Sequence, residues 1–253
     1  MVINELNGFE KYLAETYSPY FSSKIITLFI LRKTESSCVF QSENEKLRLI
    51  ETSSGIDRND VTSINNSYNR VAFPLGRQCA LERREGRNLL RELNLLNPIK
   101  GEICELNKLL CGTCIDCQTY GYSMNGKSAK SKLMYGECIS LLPYELISKR
   151  ETSIGLNDVC TMYDSKTNTF SQSLFSTEYV KTGTVFLDIL TLQNVTEKQL
   201  VYIVGNILRT LRYGANLNKM GEIDNELIKV TFSNTKIGSV LKWTQLTYDQ
   251  LCA

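Results

Sequence analysis

Four of the nine cysteines lie within residues 104–117, at Cys104, Cys111, Cys114 and Cys117, in the spacing C-x6-C-x2-C-x2-C. Four thiolates complete the tetrahedral coordination of Zn²⁺ and leave no position open for a reacting water. An iron–sulfur cluster is the alternative metal, although the Cys-Pro that follows the bacterial ferredoxin run is absent here. A third interpretation of this spacing is that the four cysteines are buried core thiols that bind no metal. The spacing therefore favours structural zinc, which would stabilise this part of the fold.

Arginine is concentrated between residues 70 and 92, where six arginines accompany three glutamates. The planar guanidinium suits phosphate because it donates two parallel hydrogen bonds. Arg83, Arg87 and Arg91 stand four residues apart, so on a helix they form a row of like charges that repel each other. Two explanations stay open: an anionic partner neutralises the row, or acidic groups elsewhere in the fold do so.

Two further basic groups follow in the sequence. Three lysines lie beside two tyrosines, which is typical of a surface that stacks single-stranded bases and neutralises phosphates; a solvated loop is the alternative. A third group accompanies two glycines, which allow a close backbone approach or simply end a helix. These residues are Lys127, Lys130 and Lys132 with Tyr120 and Tyr122, and Arg209, Arg212 and Lys219 with Gly214 and Gly221.

The composition excludes several classes of function. The chain has no histidine, so Ser-His-Asp and Cys-His catalysis and histidine-ligated metals are ruled out. A net charge of +2 gives no global field that would attract polyanions. The N-terminus lacks an apolar signal segment, and the longest apolar run, residues 25–31, is far shorter than the ~20 residues of a membrane span. We expect a cytoplasmic protein without membrane association whose other five cysteines are small buried hydrophobes.

The hydrophobic pattern predicts strands over 22–34, 69–74, 138–147, 183–192 and 223–232, and an extended hairpin over the polar residues 148–180. It also predicts two long helices. The first runs from Gly76 to Asn97 with an apolar face of Leu81, Leu89, Leu93 and Leu96. The second starts at Thr196 and ends at Gly214, with Thr196 and Gln199 in capping-box spacing. Its apolar face is Leu200, Ile203, Val204, Ile207, Leu208 and Leu211. Two strand–helix–strand halves indicate an α+β fold of the ferredoxin-like kind, which RNA-recognition modules share.

Three stretches, residues 69–93, 104–121 and 174–222, resemble a known family in the same order along the chain. The first carries the arginine-rich helix, the second the cysteines, and the third a strand, a helix and a glycine-containing loop. Together they resemble the zinc-containing backbone subunit, of the Cas-seven type, of type I-D Cascade-like CRISPR effector complexes. Lys219 is the only cation of the loop itself that this resemblance carries over.

The resemblance implies one RNA-recognition-like domain over 1–253, with a zinc insert at 98–135 and a thumb-like hairpin at 148–180. It implies a non-enzymatic subunit that binds guide RNA independently of sequence, polymerises along it, contacts other effector subunits, and presents the guide to target nucleic acid. The expected RNA-binding residues are Arg70, Arg77, Arg83, Arg84, Arg87, Lys127, Lys130, Lys132, Arg212 and Lys219. Two alternatives remain: a metal-dependent ribonuclease of the same superfamily using Asp57 or Asp164, and a zinc-stabilised protein-interaction adaptor.

Overall fold

The structure is a computed structural model that describes residues 8–40, 47–53, 67–99, 101–124, 126–154, 163–164, 169–170, 174–213 and 221–252. Its strands are β1 (Ile25–Thr34), β2 (Leu49–Ser53), β3 (Ser67–Phe73), β4 (Pro98–Ile99), β5 (Glu102–Ile103), β6 (Tyr122–Met124), β7 (Lys127–Ala129), β8 (Leu133–Tyr135), β9 (Cys138–Ser140), β10 (Ser148–Ile154), β11 (Tyr163–Asp164), β12 (Thr169–Phe170), β13 (Leu174–Val180), β14 (Val185–Gln193) and β15 (Ile223–Ser233). Its helices are α1 (Leu75–Glu92), α2 (Ile115–Tyr120), α3 (Tyr144–Ile147), α4 (Glu197–Arg209) and α5 (Val240–Cys252).

Among the described residues, seven strands form one antiparallel sheet in the order β15-β1-β14-β9-β3-β2, with β8 also paired to β14. β1 lies between β14 and β15, and Ile25 is opposite Gln193 on one side and Ser233 on the other. The near-continuous apolar sequence of β1 fits this interior position, because both of its faces are covered. The predicted α+β class is confirmed, and its strands form a large antiparallel sheet.

Helices α1 and α4 cover one face of the sheet. Side chains of alternate residues on a strand point to opposite faces, and Ile26, Leu28 and Ile30 of β1 pack with Ile203 and Ile207 of α4. The capping box at the start of α4 is present: the Gln199 N–H donates to Thr196 Oγ1 at 3.3 Å. The helix ends at Arg209, before the predicted end at Gly214, and the last two residues of its predicted apolar face, Leu208 and Leu211, are exposed.

The buried face of α1 differs from the predicted leucine stripe. Leu93, which was expected to be buried, is 56% exposed, whereas Gln78, Glu82 and Arg87 are buried. These polar side chains are tolerated because each one forms hydrogen bonds inside the fold. Leucine spacing alone therefore misplaced the inner face of this helix.

Gly86, in the middle of α1, is the point of closest approach to α4. A Cβ atom built there would lie 2.2 Å from the Asn206 side-chain nitrogen. We therefore expect Gly86→Ala to lower the free energy of unfolding by about 1–3 kcal/mol, because the overpacking penalty exceeds the gain of about 1 kcal/mol in helix propensity. Urea denaturation measures this effect. Gly76→Ala is the matched control, since nothing lies within 4 Å of its added Cβ; equal loss in both variants would contradict the packing explanation.

The opposite face of the sheet carries α5, which the sequence pattern did not predict. Phe29, Ile139 and Ile189 of the sheet pack against Val240 and Trp243 of this helix. Elsewhere, the predicted strand over 138–147 is shorter, because α3 occupies its second half. β10 and β13 pair antiparallel across the expected hairpin region. Within the described residues, no helix combines the length and apolar character needed to cross a membrane.

Candidate metal centre and nucleic-acid interface

The four predicted cysteines converge in space, with Sγ atoms all within 4.8 Å of one another. The Cys104 Sγ lies 3.9 Å from that of Cys114 and 3.6 Å from that of Cys117, and the Cys111 and Cys117 Sγ atoms are 3.9 Å apart. Four sulfurs at the Zn–S distance of about 2.3 Å in a tetrahedron are separated by about 3.8 Å. The donor set therefore fits a metal ion of this size, and the cluster could bind one.

Backbone N–H groups donate to two of the cluster sulfurs, but the pKa shifts within the cluster differ in direction. The hydrogen bond to Cys117, with burial, raises the pKa of Cys114, and burial raises the pKa of Cys104. The Cys111 N–H donates to the Cys104 Sγ at 3.3 Å, and the Cys114 N–H donates to the Cys111 Sγ at 3.1 Å. Hydrogen bonds from the Cys114 thiol, from the Gly112 backbone and from the Cys104 thiol lower the pKa of Cys117 to about 5, although burial opposes this. Thiolates are the form of cysteine that ligates metals.

Asp116, between the third and fourth cysteines, attaches the cluster to helix α1. Its Oδ2 accepts from the Arg83 Nη2 at 2.9 Å and from the Arg87 Nη1 at 2.6 Å. The Tyr202 hydroxyl of α4 lies 3.4 Å from its Oδ1. The Arg87 Nη2 also approaches the Cys104 Sγ at 3.6 Å. The cysteine insert is thus held to both helices through one buried carboxylate.

This contact decides between the two explanations of the arginine row. Arg83 and Arg87 share the carboxylate of Asp116 from the same chain, and Arg87 is 2% exposed, whereas Arg91 is exposed. The sequence did not single out Asp116, because an aspartate between two cysteines carries no distinctive signal. Only the fold brings it to the arginines.

Several other predicted RNA-binding residues lie inside the fold. The Arg70 guanidinium is 1% exposed and donates to Thr52 Oγ1 at 3.1 Å and to the Ser140 carbonyl at 3.1 Å. Lys132 is 1% exposed, and its Nζ donates to the carbonyls of Ser18 and Tyr20. These side chains hold neighbouring segments together, so in this conformation their donors are not directed at a ligand.

The remaining predicted residues are more accessible. Arg77 is half-buried, with Nη1 3.4 Å from the Val39 carbonyl, and burial lowers its pKa. Lys127 and Lys130 are exposed on and beside the β6–β7 hairpin. Lys219 and Asp57 lie outside the described residues, and of Asp164 only the backbone, in β11, is described.

An exposed groove of about 440 Å³ lies between α1 and the end of α4. We call it the arginine groove; its lining includes Arg84, Arg209 and Arg212 together with the carboxylates of Glu85 and Glu222. The Arg212 Nη2 binds Glu222 at 2.8 Å, and the Arg209 Nη2 donates to Asn206 Oδ1 at 3.1 Å. Arg84 forms no hydrogen bond or ion pair with any described residue. The groove therefore brings together members of two basic groups that are far apart in sequence.

A second buried charged cluster lies beneath α1, and no pattern in the sequence predicted it. Arg32 of β1 is fully buried, and its Nη2 binds Glu82 Oε1 at 2.9 Å and Asp188 Oδ2 at 2.8 Å. The Tyr213 hydroxyl, 3.0 Å from Glu82 Oε1, lies 2.6 Å from the Arg32 Nη1. Burial raises the pKa of both carboxyl groups, and Arg32 opposes this. We call these residues the Arg32 cluster.

The sequence matches the Csc2 CRISPR family over residues 12–253. The chain belongs to that family. Its fold is similar to the crystal structure of Thermofilum pendens Csc2, with a TM-score of 0.68 at 13% identity over 98% of this chain and 81% of that one. A chain of a type IV-B CRISPR complex is similar at a TM-score of 0.51 and 15% identity, over 84% of this chain and 92% of that one. No curated protein matches the sequence. A Csc2-family chain is a subunit of the Cas-seven kind in a CRISPR complex.

Proposed function

We propose that this Csc2-family protein is the backbone subunit of a type I-D CRISPR surveillance complex. Copies bind guide RNA independently of its sequence, stack along it, and present it for pairing with target nucleic acid, while other subunits perform cleavage. The observation that carries the proposal is the arginine groove on a chain of this family. Guanidinium groups bind phosphate oxygens without reading bases, and base pairing of the guide supplies the specificity.

The groove contains arginines that the fold leaves exposed. Arg83 and Arg87 point to Asp116, whereas Arg84, on the same helix, is exposed. Arg209 reaches the groove from α4 and Arg212 from the segment that follows it. These three arginines form the RNA-backbone site of the proposal; the buried Arg70, Arg87 and Lys132 do not belong to this groove.

Three further parts of the proposal, namely the core, the thumb and the zinc site, are supported by the structure. Four neighbouring strands of the sheet lie in the order β15-β1-β14-β9. Along the chain, α1 lies between β1 and β9, and α4 lies between β14 and β15. This arrangement supports an RNA-recognition-like core. The β10–β13 pair supports a thumb that contacts the next copy or the guide–target duplex. The four-cysteine cluster binds structural zinc, because its sulfur separations match a closed tetrahedral site.

Light scattering after gel filtration, with single-stranded RNAs of increasing length, tests the proposal. The mass of the complex is expected to rise in even steps with RNA length. Arg84→Ala/Arg209→Ala weakens RNA binding and lowers the slope of log affinity against log salt by about 2, since two phosphate contacts are lost. The variant keeps its fold, because both side chains are exposed.

Arg91→Ala is the matched control, because Arg91 is an exposed arginine of α1 that does not line the groove. Its salt slope is expected to match that of the wild type. A mass fixed at one protomer for every RNA length would contradict filament formation and favour the protein-interaction adaptor. Equal losses in Arg91→Ala and the double variant would contradict the assignment of the groove.

A further inference from the structure

Helix α5 covers the sheet through aromatic contacts at both ends. Near its start, the Trp243 ring meets Phe29 edge-on, with ring centroids 5.2 Å apart. Near its end, the Tyr248 ring lies 4.7 Å from the Arg70 guanidinium and 5.7 Å from the Tyr68 ring. Trp243 and Tyr248, the two aromatic side chains of α5, therefore pack against aromatic rings or a guanidinium of the sheet.

The contact between α5 and the sheet leaves polar groups unsatisfied. Five buried side-chain atoms in the described residues lack a hydrogen-bond partner, and three of them are the hydroxyls of Thr27, Thr191 and Thr244. Thr27 and Thr191 are opposite each other on β1 and β14, on the face that α5 covers, and Thr244 belongs to α5. A buried hydroxyl without a partner opposes the burial that encloses it. These hydroxyls oppose the apolar and aromatic contacts that hold α5 against the sheet.

The connection to α5 allows the helix to move as a unit. Residues 234–239, between β15 and α5, are all exposed and have no regular secondary structure. Gly238 within this linker has a φ of +82°, which side-chain-bearing residues rarely adopt. We call these residues the hinge. Rotation at the hinge would uncover Phe29, Tyr68 and the outer face of Arg70 without breaking any strand pairing.

We infer that the surface beneath α5, formed by Phe29, Tyr68 and Arg70, is a second binding site for single-stranded RNA, and that α5 occludes it. Aromatic rings and a guanidinium face accept stacked bases whatever their sequence. Lys229, opposite Phe29 on β15, and Lys236 in the hinge are exposed beside this surface and would neutralise phosphates. Trp243 and Tyr248 hold the places that two bases take when α5 is released. The site is separate from the arginine groove.

Binding to an occluded site is weakened by the fraction of molecules in which the site is closed. Variants that shift α5 therefore change the RNA affinity in opposite directions. Thr244→Val replaces an unsatisfied hydroxyl by a methyl group of the same shape and favours the closed position. Gly136→Ala disfavours it, because the added Cβ would lie 2.6 Å from the Val240 Cγ2 at the start of α5.

Fluorescence of the full chain tests this inference, because Trp243 is its one tryptophan. Titration with oligouridine of about four nucleotides, a length near the lower limit for compact single-strand sites, is expected to shift the emission to the red as Trp243 leaves Phe29. Relative to wild type, Thr244→Val binds about fivefold more weakly and melts at a higher temperature, and Gly136→Ala binds about fivefold more tightly. Arg91→Ala, at an exposed arginine outside both proposed sites, leaves the tryptophan response unchanged.

An unchanged emission on adding oligouridine, or equal affinities in the two α5 variants, would overturn the inference. If Gly136→Ala fails to fold, the more stable Thr244→Val variant decides alone. The outcomes are separable from those of the proposed function. RNA-length-dependent mass without a tryptophan response refutes only the second site, whereas a tryptophan response without growth in mass refutes only the filament.

Discussion

Replacing Cys117 by serine is expected to release the zinc that we propose for the four-cysteine cluster and to unfold the cysteine insert. Cys117 is fully buried and lies within 3.9 Å of two other cluster sulfurs. Structural zinc sites supply about 10–16 kcal/mol of apparent binding free energy in zinc-finger peptides, so loss of one ligand removes most of the insert's stability. The damage extends to α1, because displaced Asp116 leaves two arginines unpaired at a cost of about 3–5 kcal/mol.

Metal analysis by mass spectrometry, together with thermal melting, measures this effect. The wild type is expected to hold one zinc per chain, and the variant almost none, with a melting temperature lower by roughly 10 °C. Cys79→Ser is the control, since Cys79 is a half-buried cysteine of α1 outside the cluster. It should retain the metal. Full zinc content and unchanged melting in Cys117→Ser would refute the four-cysteine site.

Arg32→Met should lower the free energy of unfolding by about 3–5 kcal/mol, because it leaves the buried carboxylates of Glu82 and Asp188 without their cation. Urea denaturation at neutral pH measures the loss. Lys33→Met is the matched control on the same strand. Lys33 pairs with Glu35 at the surface, where both side chains are 47% exposed, so its removal should cost less than about 1 kcal/mol.

The pH dependence of Arg32→Met provides an independent check. Burial raises the pKa of Glu82 and Asp188 in the folded protein, and Arg32 is the charge that counteracts it. Without Arg32 the folded pKa values rise further, so folding takes up protons. Stability is then highest below the unfolded carboxyl pKa of about 4 and is lost as pH rises through the folded values. The variant should therefore regain stability as the pH falls from neutral towards the unfolded carboxyl pKa of about 4; a deficit independent of pH would contradict this explanation.

Apolar patterning predicted the elements that pack through apolar faces. The central strand β1 and helix α4 were predicted because their burial depends on Ile26, Leu28 and Ile203, which repeat at the strand or helix period. The four cysteines were predicted because metal ligation imposes a spacing on the sequence itself. For these features, the local sequence contains the physical cause of the structure.

The features that the sequence did not predict depend on pairs of distant residues. The inner face of α1 is polar, and Glu82 is tolerated there only because Arg32 and Tyr135 reach it from β1 and β8. Likewise, the role of Arg83 depends on Asp116. Helix α5 was missed because its sheet-facing side mixes Trp243 with Thr244, which produces no clear apolar period.

The position of β1 at the centre of the sheet has a consequence for biosynthesis. Both neighbours of this strand are translated late: Ile25 pairs with Gln193 and Ser233. By contrast, the four clustered cysteines and Asp116 follow α1 within a few tens of residues, so the cysteine insert can pack against α1 while β1 remains without either partner. Contacts of such high sequence separation slow folding, and an unpaired apolar strand promotes aggregation meanwhile. Because β14 and β15 are synthesised late, we expect chaperones to bind nascent β1 until it pairs with both strands.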